Sequence, residues 1–212
     1  QNFLMKKEEL IELIKYLHTE DKTGNIAGDS LVTFAERVEY DNDNDGVKDS
    51  EGSILSLYDL KLKKWVKDNK FSDLLGKAGD KFWGTRICIS DSKNIVAVSS
   101  DNEGGIGYVK VFKRKSNGYE QLGLTLEGSE NGGRFGDRMD MSGDGTVLVV
   151  SEPRANSRKG IVKIFKYSES TNNWSTTGTL NGGEDIIDGT SYAHNLECDS
   201  LSNDGNKLVV SA

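Results

Sequence analysis

The feature that most constrains this chain is a pattern that returns. Trp83-Gly84-Thr85-Arg86-Ile87-Cys88-Ile89-Ser90 is matched by Phe135-Gly136-Asp137-Arg138-Met139-Asp140-Met141-Ser142. Each run has an aromatic residue, then Gly, then Arg two places on, then alternation ending in Ser. Each is followed by a polar turn and a second apolar run, Ile95-Val96-Ala97-Val98-Ser99 or Val147-Leu148-Val149-Val150-Ser151. A third copy closes the sequence, where Ser202-Asn203-Asp204-Gly205-Asn206 leads into Leu208-Val209-Val210-Ser211. Such a chain is built from copies of one supersecondary unit, which buries its faces only by stacking on its neighbours.

The remaining strands fall into the same frame. Ile54-Leu55-Ser56-Leu57-Tyr58, Tyr108-Val109-Lys110-Val111-Phe112 and Ile161-Val162-Lys163-Ile164-Phe165 align, each ending on an aromatic. A second aromatic follows each after a polar turn: Trp65, Tyr119 and Trp174. These three are expected to pack at equivalent places. Mostly apolar residues on both faces suit a sheet sandwiched between others. Each unit then holds four short strands at a period of roughly fifty residues, which predicts an all-β fold of antiparallel β-propeller-type blades. Asp-Gly in Ser142-Gly143-Asp144-Gly145 and Ser202-Asn203-Asp204-Gly205 marks tight hairpins.

The expected organisation is an N-terminal helix and linker over residues 1–25, a partial blade over 26–80, blades over 81–133 and 134–190, and the start of another over 191–212. Leu10, Leu13, Ile14 and Leu17 recur at helical spacing within residues 4–18, with Lys and Glu on the opposite face. That helix either packs on the β-domain or binds a partner. Asp21-Lys22-Thr23-Gly24-Asn25 reads as a turn, and Leu31-Val32-Thr33-Phe34-Ala35 as a strand. About three units do not close a propeller, which takes four to eight. The expectation is a segment of a longer protein, or an open stack capped by the helix and a partner.

Gly is frequent, at 24 residues, and Pro occurs once, as short strands and tight turns require. A formal charge of −7 speaks against nucleic acid and against anionic lipid as partners. There is no membrane-inserting run. Cys88 and Cys198, the only cysteines, lack metal-like spacing and are either one disulfide or two buried thiols.

Residues 82–212 resemble the FG-GAP repeats of integrin-α-like β-propellers. Phe135-Gly136, the Ser-Gly-Asp-Gly turn, Leu148-Val149-Val150-Ser151-Glu152-Pro153 and Lys159-Gly160-Ile161-Val162-Lys163-Ile164-Phe165 carry the resemblance. The first unit departs from it, with Trp83 for Phe and Ser100-Asp101 in place of Ala-Pro. In the third unit Tyr192-Ala193 stands further from the turn Ser, which implies a bulge or insertion. The resemblance implies a cell-adhesion or structural repeat protein.

The best candidate site is the acidic loop Asp41-Asn42-Asp43-Asn44-Asp45-Gly46-Val47-Lys48-Asp49. Asp41, Asp43, Asp45 and Asp49, with the Val47 carbonyl, offer the oxygen ligands that hard Ca²⁺ requires, and Gly46 permits the sharp turn. The position where an EF-hand carries its last Glu is Gly52, so this is not an EF-hand. The resemblance adds that integrin-like propellers bind Ca²⁺ in similar loops, though after a different strand. The metal-free alternative is a solvated acidic loop. Asn173-Trp174-Ser175 is an N-glycosylation sequon, expected in a surface turn. Arg86 and Arg138 recur by unit and predict a repeated structural hydrogen bond or ion pair, which in this acidic protein needs a nearby Asp. Ser191 and His194 lack a third orienting group for nucleophilic catalysis.

These observations predict a non-catalytic structural or adhesion protein, extracellular or on a particle surface. Its blades would engage a protein or glycan partner, with Ca²⁺ stiffening residues 41–49. The alternatives are a carbohydrate-active propeller enzyme, a lyase or hydrolase whose catalytic blades lie outside this segment, and a structural subunit docked into a large assembly by its N-terminal helix.

Overall fold

The computed structural model describes the backbone of residues 22–27, 31–40, 50–61, 64–67 and 74–75. It describes residues 83–211 in full, except 93, 103, 117 and 184–194. The predicted helix at 4–18, the loop bearing Asp41, Asp43, Asp45, Val47 and Asp49, and Tyr192-Ala193 lie outside the described residues. So do Ser191 and His194. The chain divides into two compact units, 1–84 and 85–212. The described elements are strands apart from one helical turn, the sheets are antiparallel, and none closes into a barrel.

In the first unit, β1 (Lys22–Ala27), β2 (Leu31–Tyr40) and β3 (Ser50–Lys61) form a meander. β4 (Lys64–Lys67) then pairs with the last residues of β3, and β5 (Leu74–Leu75) with its middle, at Ile54 and Leu55. Where a turn was expected over 21–25, the described residues 22–25 are strand. Thr23 pairs with Ala35 and Ile26 with Val32, so ladder bonding to β2 overrides the low strand preference of Gly24 and Asn25. β2 and β3 run longer than their apolar cores predict, to a last pair Tyr40–Ser50 that brackets the acidic loop.

The second unit repeats the plan. β6 (Trp83–Ile89), within which the division between the units falls, pairs with β7 (Ile95–Ser100), and β7 with β8 (Tyr108–Lys115). β9 (Gly118–Gln121) and β10 (Leu126–Glu127) pair with the two ends of β8. The next sheet is β11 (Met139–Met141), β12 (Val147–Glu152), β13 (Ile161–Ser168) and β14 (Asn173–Asn181), in that order. β15 (Glu197–Leu201) and β16 (Leu208–Ser211) form a two-stranded sheet.

The outer strand is split in the β6–β10 sheet and whole in the next. Gly123 explains the split: its φ is +75°, and a Cβ there would lie 2.8 Å from the Trp174 ring. The chain leaves the ladder to let Trp174 in, and the Leu122 carbonyl accepts the indole N–H at 2.9 Å. β14 stays paired through a bulge opposite Ile164 and Phe165. β15 also carries a bulge, between Cys198 and Ser200.

Alternation along β12 divides its side chains between two cores. Leu148 and Val150 join Ala97, Val109, Val111, Phe135, Met141, Phe165 and Trp174. Val149 faces the other way and joins Val162, Leu196, Cys198 and Leu201. Trp65, Tyr119 and Trp174 each stand one pair in from a hairpin, opposite Leu60, Arg114 and Tyr167. Phe135 is fully buried, edge-on to Phe165 at 6.2 Å. Gly136, at φ +93°, has the Ser99 side chain 2.7 Å from where a Cβ would stand, so only Gly fits between the two sheets.

Candidate functional site

Up-and-down topology brings the connections that leave β7, β10 and β12 to one end of the sheets. Residues 101–107, 128–138 and 153–160 meet there. The Gly105 carbonyl accepts the Gly132 N–H at 2.9 Å, and the Gly133 carbonyl accepts the Arg154 N–H at 3.0 Å. Gly107 and Gly160 hold equivalent places in these loops. A Cβ would lie 2.1 Å from the Phe135 carbonyl oxygen at Gly107 and 2.2 Å from the Leu196 nitrogen at Gly160.

Two buried carboxylates anchor this end. Asp101 is 2% exposed and Glu152 is 0% exposed, and such burial demands partners. Asp101 Oδ2 accepts from Arg134 Nε at 2.8 Å and from Nη2, and Oδ1 accepts from the Thr85 hydroxyl at 3.1 Å. Arg134, itself at φ +61°, also reaches Asp137 at 2.9 Å. Glu152 Oε1 accepts the N–H groups of Ser129 at 2.7 Å and Glu130 at 3.3 Å. Its Oε2 accepts from the Ser129 hydroxyl at 2.6 Å and lies 3.6 Å from Lys163 Nζ. Lys163 also donates to Ser129 Oγ and sits over the Phe135 ring. Both carboxylates are occupied by protein donors, so what they do chemically is hold residues 128–137 against β7, β12 and β13.

The 153–160 connection has an unusual backbone. Within the helical turn Ala155–Arg158, Asn156, Ser157 and Arg158 have φ of 54°, 58° and 66°. Three consecutive non-Gly residues in the left-handed region are strained, and such strain persists only where surrounding structure holds it. Here the Arg158 and Lys159 carbonyls accept the N–H groups of Asn195 and Leu196, at 2.8 and 3.1 Å. Asn156, Ser157, Arg158 and Lys159 are exposed. The segment carries Arg154, Arg158 and Lys159 and no acid, in a chain of net charge −7.

Of the sites expected from sequence, Asn173 is not in a turn: it begins β14, half-buried. Its Oδ1 accepts the Leu124 N–H at 3.1 Å, which draws it into the joint between sheets. The repeated arginines behave differently from one another. Arg138 pairs with Glu197 rather than an Asp, and Arg86 donates to the Thr85 carbonyl at 3.0 Å. The register explains this. Arg138 precedes β11 where Glu197 opens β15, so Arg138 meets an acid from the following sheet, whereas the same place after Arg86 is Arg138 itself. Glu197 raises the Arg138 pKa further. Cys88 and Cys198 are free and buried. Among the described residues no group of three or more His, Cys, Asp or Glu could hold a metal, and no helix is long and apolar enough to cross a membrane.

Sequence reasoning passed over Asp101 and Glu152. The signal was present: each stands at the end of an apolar run, over 95–99 or 147–151, where a charge must find a partner inside the protein.

No protein-family model matches this chain, and no curated protein does. Among solved structures, it is similar to the crystal structure of a putative 6-phosphogluconolactonase from Bacteroides fragilis, at 15% identity and a TM-score of 0.46. The match covers 89% of this chain and 59% of that one, so the chain spans less than two thirds of its neighbour's length. Two expectations are corrected. The FG-GAP, integrin-like resemblance is not upheld, since no family model matches and this neighbour has a different name. The Phe135-Gly136 pair, which carried it best, follows from close packing between sheets, with Gly136 against the Ser99 side chain. The expectation of a non-catalytic protein is also withdrawn, because the neighbour is named as an enzyme. A likeness this distant assigns no activity to this chain.

Proposed function

We propose that this chain is an interaction module of β-propeller-type blades, whose loop end engages a protein or glycan partner. The observation that carries the reading is the left-handed run Asn156, Ser157 and Arg158. Strain of this kind marks functional loops more often than connecting ones. It is held by bonds from the following segment, and it presents exposed basic side chains on an otherwise acidic protein. An anionic glycan or acidic peptide matches that charge. Ca²⁺ at Asp41, Asp43, Asp45, Val47 and Asp49 would stiffen a second loop, and an extracellular or particle-surface setting suits both.

The test is binding of the purified chain to arrays of sulfated, sialylated and neutral glycans and to acidic peptides, with and without chelator. Arg158→Glu with Lys159→Glu is expected to weaken binding at least tenfold without moving the melting temperature. Equal binding by the variant and the parent chain would sink the reading for this loop. Chelator that leaves binding and melting unchanged would remove Ca²⁺ from it.

A further inference from the structure

Asn173-Trp174-Ser175 is the one N-glycosylation sequon in the sequence, and its setting in the fold is specific. Asn173 follows the exposed turn 169–172 and pairs with Ser168 at the start of β14. Its carboxamide lies on the link between β9 and β10. A Cβ at Gly123 would stand 3.1 Å from Asn173 Oδ1, and that oxygen accepts the Leu124 N–H at 3.1 Å. Nδ2 makes no hydrogen bond among the described residues. The amide is thus divided: its oxygen holds the joint between sheets, and its nitrogen is uncommitted. An N-linked sugar replaces one Nδ2 hydrogen and leaves the carbonyl oxygen an acceptor, so attachment costs the joint no hydrogen bond. Beside the amide is an apolar surface. Leu122 and Leu126 are each 8% exposed, whereas Leu124 between them is 69% exposed. The bond from its own N–H keeps Leu124 next to Asn173, and both residues belong to the complete sheets β6–β10 and β11–β14 and their links.

We propose that Asn173 is an N-glycan attachment site, and that the first sugar lays its apolar face on Leu124. The step is group transfer from a lipid-pyrophosphate-linked oligosaccharide in a secretory compartment. Nδ2 displaces the pyrophosphate from the anomeric carbon of the first sugar. The carbon–oxygen bond breaks and a carbon–nitrogen bond forms. Nδ2 loses one proton, and the lipid pyrophosphate leaves with the bonding pair. Transfer takes place on the extended chain, and the fold must then accept the sugar, which the divided amide permits. Covering Leu124 removes apolar surface from water and so stabilises the folded chain. The proposal rests on the extracellular setting named above and is independent of what the 153–160 connection binds.

The experiment expresses the whole chain behind a cleavable secretion leader in cultured eukaryotic cells. Secreted and cell-retained chain are both digested, and the peptide bearing Asn173 is read by mass spectrometry. Treatment with a peptide N-glycosidase in heavy-oxygen water turns a glycosylated Asn into labelled Asp and so locates the sugar. Most of the chain is expected to carry one oligosaccharide at Asn173. Ser175→Ala removes the sequon while keeping the Asn173–Leu124 bond, and should lose the sugar entirely. The glycosylated parent should melt above Ser175→Ala, and that difference should vanish when both chains also carry Leu124→Ser. Unmodified Asn173 in both fractions would overturn the site. An occupied Asn173 whose melting difference survives Leu124→Ser would overturn the packing on Leu124. Occupancy supports the site whether or not the 153–160 connection binds an anionic glycan or acidic peptide, so the two readings fail separately.

Discussion

β12 and β16 carry the same four residues at the same place of the repeat, yet their surroundings are opposite. Leu148, Val149, Val150 and Ser151 are each 0% exposed, while Val209 and Val210 are among the most exposed large apolar residues described. Burial here is set by how many sheets stand beside a strand. The joints on the two sides of the β11–β14 sheet differ in the same sense. Towards the β6–β10 sheet, buried carboxylates, an indole N–H and the Ser99 hydroxyl all bond across, the last to the Gly136 carbonyl at 2.7 Å. Towards the β15–β16 sheet, the equivalent Ser151 hydroxyl accepts the Cys198 N–H at 2.7 Å, but the ion pair Arg138–Glu197 is open to water. The Arg138 side chain is 48% exposed.

The largest test of this contrast is truncation at equivalent places. Leu148→Ala removes a side chain shared by a complete core and should cost about 2–5 kcal/mol. Val209→Ala should stay within about 0.5 kcal/mol. Urea unfolding monitored by tryptophan fluorescence measures both. Equal costs would mean that the two strands are equally packed in solution.

A similar contrast applies to charge. Glu152→Ala strands the Ser129 and Glu130 N–H groups and the Lys163 ammonium, and should cost about 3 kcal/mol. Glu197→Ala opens an exposed pair and should cost less than about 1 kcal/mol. A Glu152→Ala chain as stable as the parent would show that residues 128–137 do not depend on this carboxylate.

Much of this frame was legible before any coordinates, because apolar alternation and turn chemistry are local signals. The repeat placed β7, β8, β12, β13 and β16, and it placed Trp65, Tyr119 and Trp174 beside their hairpins. β1 was missed because it is strand through pairing with β2, which Gly24 and Asn25 do not announce. The site was least legible. Asp101 and Glu152 gain meaning only from Arg134, Ser129 and Lys163, which lie from 11 to 33 residues away in sequence. The left-handed run at 156–158 follows from bonds to Asn195 and Leu196, which no local pattern encodes. The FG-GAP reading came from taking aromatic-Gly as a family mark, whereas steric fit between sheets is sufficient to require it.

The weakly covered joint also holds a thiol, which makes it sensitive to alkali. Burial pushes Cys198 from the ordinary 9.0 up to about 11, and burial likewise raises Cys88 well above its usual range. The folded chain therefore keeps protons that the unfolded chain releases. The contribution is complete below about pH 9 and is lost as pH rises through about 11, by about 2–3 kcal/mol for Cys198. Urea midpoints should fall over that interval, and Cys198→Ala should flatten the fall. A profile unchanged by Cys198→Ala would mean that the thiol is already accessible, and the joint looser than drawn.

The smallest expected effect compares the two tight turns. They are linked in a ladder: the Gly143 carbonyl accepts the Asp91 N–H, and the Asn203 carbonyl accepts the Gly143 N–H, both at 2.9 Å. Within each turn an Asp closes the loop. Asp144 accepts from the Ser142 hydroxyl at 2.7 Å and the Thr146 N–H at 2.9 Å, and Asp204 from the Ser202 hydroxyl at 2.6 Å and the Asn206 N–H at 3.1 Å. Those bonds, the Ser hydroxyl foremost, hold both carboxylates below their usual range. A lowered carboxylate pKa stabilises the folded chain above the unfolded value of about 4 and loses that contribution as pH falls through the folded one. Asp144→Asn should therefore lower the melting temperature at neutral pH, with the difference shrinking in acid. Asp204→Asn should do the same to a lesser degree, because its turn has no further sheet beside it among the described residues. Equal shifts for the two variants would show that the ladder stiffens both turns alike, and that the contrast between the joints stops at the apolar layers.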